Sequence, residues 1–203
     1  MRHPLLDDDG RPVTIHLPSL PTALATWSDP TRIATVVPGG AMPQQLNGIP
    51  FLPWENSLMT PASPVDEPPY VLPAGMAAAA GVVVVEEDGR VWLVSPTNQF
   101  GGYEATFPKG RVDPGTSLQH TAIREAFEES GLAVDLTAYL LDVQRTQTYT
   151  RYYLARRIGG RPAAMGWETQ AVHLVPLAQL RAVAAHPNDM AIIQALDHMK
   201  GVR

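Results

Sequence analysis

Fourteen of the 20 prolines in this chain fall within its first 73 residues, and six are spread over the remaining 130. Each proline removes a backbone donor and restricts φ, so a stretch this rich in proline cannot hold a long helix or a central strand. Yet Thr31–Val37, Ile49–Trp54 and the tryptophans and leucines around them are too apolar for plain disorder. Residues 1–60 are therefore expected to form an arm of short strands and turns packed on another body. Residues 61–73 (PASPVDEPPYVLP) read as an extended linker, and residues 74–203 as the regular domain.

Composition removes several classes of function. The chain has no cysteine, which excludes disulfides, thiolate metal sites and cysteine nucleophiles. Its net charge of −5 argues against general nucleic-acid binding, which shows as a basic excess. The start, MRHPLLDDDGRP, lacks the apolar segment of a secretory signal, and the longest apolar run, Met76–Val85, is too short to span a bilayer. A soluble, cytoplasmic protein without membrane contact is expected. The six histidines show no metal-ligand spacing, and neither G-x-S-x-G nor G-x4-G-K-[ST] occurs.

From Met76 the pattern becomes regular. MAAAAGVVVVEE predicts a fully buried strand, with GRVWLVSP as its hairpin partner after Asp88–Gly89. A glycine-bearing loop, QFGGYEATFPKGRVDPG, leads to a helix over Ser117–Ser130. Thr116–Gln119 reads as its capping box and Gly131 as its closing residue. Further strands are expected near Tyr139–Gln147, Thr148–Arg156 and Val172–Pro176, followed by helices near Leu177–Ala185 and Asp189–Met199. Mixed strands with helices on both faces define an α/β sandwich.

The helix carries the chemistry. Glu125 and Glu129 are i,i+4 neighbours, and Glu128 is i+3 from Glu125, so three carboxylates crowd about one turn. Arg124 is the nearby cation. Like-charge crowding costs some tenths of a kcal/mol per pair, and a hard divalent cation would relieve it, since Mg²⁺ favours carboxylate and phosphate oxygens. Gly110 and Gly115 would let backbone carbonyls approach the same ion. Ala122 and Ala126 are expected to flank the acidic face and leave room for a ligand.

The stretch Gly110 to Leu132 resembles the box of the Nudix hydrolase family, G-x5-E-x7-R-E-U-x-E-E-x-G-U, with U a bulky aliphatic residue. Gly110, Arg124, Glu125, Glu128, Glu129, Gly131 and Leu132 fall in register. A match to the six fixed letters would arise by chance at odds on the order of one in a hundred thousand, so the resemblance is specific. The alanine-rich strand, the F-P-K-G segment and HLVPLAQL extend it over roughly residues 75–200. Residues 1–60 lie outside it. Two positions depart: Thr116 stands where the box has its first Glu, and Ala126 at a bulky position. In the family that first Glu supports the loop–helix junction and the box arginine, and Thr116 is expected to act instead as the helix N-cap.

The resemblance implies an α/β/α sandwich with a mixed sheet, here preceded by the proline-rich arm. It implies a pyrophosphohydrolase using Mg²⁺ or Mn²⁺ held by Glu125, Glu128, Glu129 and the Gly110 carbonyl, with Arg124 orienting the carboxylates. A water would attack phosphorus in line. Glu168, the sole glutamate after the box, is expected as the further carboxylate that many members place in a late loop. Lys109 is expected to reach a phosphate, and Tyr149, 17 residues past Leu132, to stack on a base as in diadenosine-polyphosphate enzymes. The P-K-G segment favours that branch, whereas the chain length and arm favour an ADP-ribose-like substrate. The rival readings are a non-catalytic Nudix-like nucleotide-binding module, supported by the departure at 116, and an interaction protein working through its arm. The arm's apolar surface must be covered by its own domain or a symmetry mate's, and a homodimer in which the arm helps close the partner's cleft is the favoured arrangement.

Overall fold

The computed structural model describes residues 1–54, 63–98, 102 and 104–200. The expected arm–linker boundary at residues 60–61 and part of the glycine-bearing loop lie outside the described residues. The arm holds strands β1 (Arg2–Leu6), β2 (Pro12–Thr14), β3 (Ala34–Val36), β4 (Gln45–Leu46) and β5 (Ile49–Pro50). The regular part holds β6 (Ala77–Val84), β7 (Arg90–Pro96), β8 (Lys109–Arg111), helix α1 (Leu118–Ser130), β9 (Leu132–Gln144), β10 (Thr148–Gly160), β11 (Thr169–Pro176), α2 (Leu180–Val183) and α3 (Met190–Lys200).

Two larger sheets organise the domain, a mixed one in the order β8-β6-β10-β9 and an antiparallel one in the order β3-β11-β7, while β1-β2 and β4-β5 form separate antiparallel hairpins. Strand β6 pairs parallel with β10 and antiparallel with β8. It is buried on both faces: Ala80, Val82 and Val84 join one core with Ala122, Ile123 and Ala126 of α1, while Val83 joins another with Ile192, Ile193 and Leu196 of α3. That double burial produces the continuous apolar run. The first core also contains Trp92, Val172 and Leu174, so it joins α1 to both sheets. Ala122 and Ala126 have no exposed surface and face this core, correcting the expectation that they make room for a ligand.

The expected β6–β7 hairpin is replaced by a change of sheet. The turn at Glu86–Gly89 carries the chain from the mixed to the antiparallel sheet, leaving a bridge between Val85 and Val91. The reason is occupancy: both edges of β6 are taken by β8 and β10, and β7 is paired with β11. Strand β9 starts at Leu132 rather than near Tyr139, because Gly131, at φ 68°, turns the chain straight from α1 into a strand whose Leu132, Val134 and Leu136 are buried. The helix expected over Leu177–Ala185 divides into a 3-10 turn at Leu177–Gln179 and the short α2.

Helix α1 is capped by Ser117, whose side chain accepts from the His120 N–H at 3.1 Å. Thr116 lies one residue earlier, in the turn in which its N–H donates to the Asp113 carbonyl. This corrects the expected Thr116 cap. The Gln119 side chain, free of a capping box, turns to Val65 and Glu67. Ser117→Ala should therefore lower stability by about 1 kcal/mol and Thr116→Ala by much less. Urea midpoints of the two variants check this, and equal losses would return the cap to Thr116.

The arm is fastened to its own domain. Strand β3 extends the antiparallel sheet through Val172–Val36, His173–Thr35 and Leu174–Ala34. Trp27 and Phe51 pack on Trp92, with ring centroids 6.0 and 6.3 Å away. Buried arginines then donate to backbone carbonyls of the proline-rich segment. Arg90 donates to Thr26, Trp27 and Asp29, Arg157 to Leu46 and Ile49, and Arg151 to Pro68. Residues 63–73 are docked as well: Glu67 accepts from Arg151, Tyr153 and Gln119. Val13, Ile15, Trp27, Leu46 and Phe51 of the arm are thus buried within one subunit, whereas Leu5, Leu6, Leu17, Leu20, Leu24 and Leu52 remain exposed on it.

Candidate active site

The site lies where β8 meets α1. Gly110 on β8 abuts Glu125 so closely that a Cβ there would fall inside the Glu125 carboxylate, which explains the glycine by close approach. The next residue back, Lys109, donates its backbone N–H to Glu129 at 2.8 Å. Glu125 is buried, Glu129 half-buried and Glu128 exposed, so the helix presents the three carboxylates from interior to solvent within about one turn.

Arg124 organises this face. It donates to Glu125 at 2.8 Å, to the Arg111 carbonyl at 3.2 Å and to Asp113, and its Nε lies 3.7 Å from Glu128. The support that the family draws from its first box Glu is thus supplied here from the loop, by Asp113 and the Arg111 carbonyl. An acid three residues before Thr116 was the available signal for it in the sequence.

Glu168 sits at the surface in the loop before β11, tied to the same helix: Gly166 N–H donates to the Glu128 carbonyl at 2.8 Å. Desolvation, partial at Glu128 and Glu168, raises the carboxyl pKa of all four glutamates, and neighbouring carboxylates add to it. Burial, and then the charge of Glu129, push Glu125 up to about 8, partly offset by Arg124. Burial pushes Glu129 up to about 7 against the pull of Lys109. Glu128 and Glu168 are raised by burial, and each also feels Asp8 of the arm.

Tyr149 is engaged elsewhere. Paired residues share a sheet face, so Lys109, Gly81 and Tyr152 lie on one side, while Gly110, opposite Ala80, lies on the side that also carries, opposite Ala78, Tyr149. Its ring packs on Tyr70 at 5.6 Å, against the docked strap. The structure therefore brings together Lys109, Gly110, Arg124, Glu125, Glu128, Glu129 and Glu168, but not Tyr149.

The donor set consists of oxygens, which suits a hard divalent cation. Among the described residues no three acid or imidazole side chains already form one ion's ligand shell. Mg²⁺ needs only one or two carboxylates, completing its octahedron with water and substrate phosphate, so this arrangement fits the ion. The raised pKa values give a test. With folded pKa values near 7 and 8 against an ordinary 4.5, Glu129 and Glu125 contribute stability present below about pH 4.5 and lost as pH rises through 7 and 8. His3 and His173, held low by burial, oppose this only below 6.5. Metal-free protein should therefore lose stability from pH 6.5 to 8.5, and Mg²⁺ should restore more at the upper end. Thermal melts in chelator and in Mg²⁺ would read both trends, and a flat profile would contradict the desolvated carboxylates.

Comparison with known proteins agrees with the fold and the box. The profile of the NUDIX domain matches residues 75–196, and the chain belongs to the Nudix hydrolase family. It is 37% identical over 92 residues to an RNA pyrophosphohydrolase of Caulobacter vibrioides, covering 44% of this chain and 50% of that protein. It is 30% identical over 98 residues to an RNA pyrophosphohydrolase of Escherichia coli, covering 48% and 49%. The chain thus spans about half the length of the curated relatives it matches. Among solved structures, a C. elegans Ap4A hydrolase complex superposes with a TM-score of 0.51 at 19% identity, over 63% of this chain and all of that one. A Nudix hydrolase from Nitrosomonas europaea gives 0.51 at 17% identity, over 61% and 71%. No helix among the described residues is long and apolar enough to cross a membrane.

Proposed function

We propose that the chain is a metal-dependent pyrophosphohydrolase that cleaves a phosphoanhydride bond in a nucleoside polyphosphate, with a bis-nucleoside polyphosphate as the preferred class. The observation that carries this reading is the placement of Glu125, Glu128, Glu129 and Glu168 around Gly110, with Lys109 beside them. Four mutually repelling carboxylates next to one lysine suit a polyanion only when cations accompany it. Glu125, Glu128, Glu129 and the Gly110 carbonyl would hold Mg²⁺ or Mn²⁺, which when bound neutralises the anhydride oxygens and acidifies a water.

The remaining roles belong to the chain itself. Lys109, whose charge reaches both Glu129 and Glu168, would orient a phosphate oxygen. Arg124 holds Glu125 and steadies Glu128 without meeting substrate. Glu168, whose carboxyl pKa is raised by burial and by the charge of Asp8, is the carboxylate we assign to take a proton from the attacking water. The RNA pyrophosphohydrolases and the Ap4A hydrolase named above both support a substrate with a run of phosphates. The net charge of −5 favours the small molecule over a long RNA.

Purified chain with Mg²⁺ should hydrolyse diadenosine tetraphosphate, and chelator should abolish the reaction. ADP-ribose and a 5′-triphosphorylated RNA oligonucleotide form the competing arms. Faster turnover of either would reassign the substrate, and inertness towards all three would favour the non-catalytic module.

A further inference from the structure

The arm's first hairpin closes on the loop that carries Glu168. In its turn, three consecutive aspartates divide their work. Asp7 accepts from the Asp9 and Arg11 N–H groups at 3.0 and 2.7 Å, and Arg11 pairs with both Asp7 and Asp9. Asp8 points away from the turn and accepts from the indole N–H of Trp167 at 3.0 Å. On β1, His3 is buried and its Nε2 lies 3.1 Å from the Thr169 carbonyl. Its Nδ1 accepts the Leu5 N–H, so Nε2 carries the proton and donates. The two residues flanking Glu168 are therefore gripped by one hairpin, one through its side chain and the other through its backbone.

The rest of the loop has little freedom. Thr97 donates from its N–H to the Glu168 carbonyl at 2.7 Å and from its hydroxyl to the Trp167 carbonyl at 2.6 Å. Gly166 sits against the Glu128 carbonyl, where a Cβ would clash. Ser19 N–H donates to Gln170 at 3.0 Å, carrying the arm's grip one residue further.

We propose that the β1–β2 hairpin is a positioning element for the active site, with Asp8 acting through Trp167 and His3 through Thr169 to hold Glu168 against the α1 carboxylates. This rests on the reading that Glu168 works in the site. It assigns a task to a segment that lies outside the family resemblance. A loop held at only one end would let Glu168 swing out, whereas one fixed on both sides of residue 168 cannot.

The test uses the full chain, with diadenosine tetraphosphate and Mg²⁺. Asp8→Ala and Trp167→Phe should each lower kcat about tenfold with KM nearly unchanged, and the double variant should be no worse than either single one. Asp8→Asn keeps the acceptor oxygen and should retain near-wild-type kcat. Amide exchange over residues 166–169 should quicken in Asp8→Ala and not in Asp8→Asn, whatever the activity. Wild-type kcat in Asp8→Ala while Glu168→Gln is disabled would overturn the proposal, as would additive losses in the double variant. Wild-type kcat in Glu168→Gln would instead remove the reading of Glu168 on which the proposal rests.

Discussion

Glu129→Gln should lower kcat at least ~100-fold, the usual loss when one preorganised electrostatic contact is removed from an active site. The amide keeps an oxygen to accept the Lys109 N–H, so the β8–α1 junction survives the change. What disappears is a charge that burial disfavours and that Glu168 further repels. Metal-free stability at pH 8 should therefore rise rather than fall. Glu125 should also titrate lower, since the Glu129 charge is the second largest cause of its shift. Steady-state kinetics with Mg²⁺ and a melt in chelator decide the matter together. Near-wild-type turnover would remove Glu129 from the proposed metal-holding set, while loss of both activity and fold would make it a structural residue.

The largest stability effect is expected at Arg157. Its guanidinium and the Glu86 carboxylate are almost wholly buried, 2.5 Å apart, and the same guanidinium holds the Leu46 and Ile49 carbonyls. It also lies 4.6 Å from the Phe51 ring. Arg157→Met leaves a buried carboxylate without its cation and should cost about 3–5 kcal/mol. The β4–β5 hairpin should loosen first, because two of its carbonyls lose their donor. Urea unfolding measures the total, and adding Glu86→Gln should recover part of it by removing the stranded charge. A loss below about 1 kcal/mol, typical of an exposed pair, would mean that water replaces the arginine.

The box was legible because its chemistry is local. Glu125, Glu128 and Glu129 meet through helical spacing, Gly131 ends the helix through its own backbone freedom, and Gly110 lies at a fixed distance before them. Strand β6 was legible for a similar reason, since a run of alanine and valine has few places to go except a doubly buried strand. Proline in residues 1–73 excluded regular elements there, and short strands and turns followed.

Tertiary structure decided the rest, wherever partners far apart in the chain competed for one group. Which strand pairs with β7 depended on the edges of β6 being filled, a matter of sheet order and not of the turn's sequence. Whether Thr116 or Ser117 capped α1 depended on the Asp113 turn that claimed Thr116 first. Tyr149 is occupied by Tyr70, 79 residues away in the chain, whose ring packs on it and whose hydroxyl donates to its carbonyl. Asp8 and Trp167 stand 159 residues apart, and no periodicity links them. Local spacing determined the acidic helix face, whereas long-range hydrogen bonds and sheet register determined what surrounds it, because those contacts exist only once the chain has closed on itself.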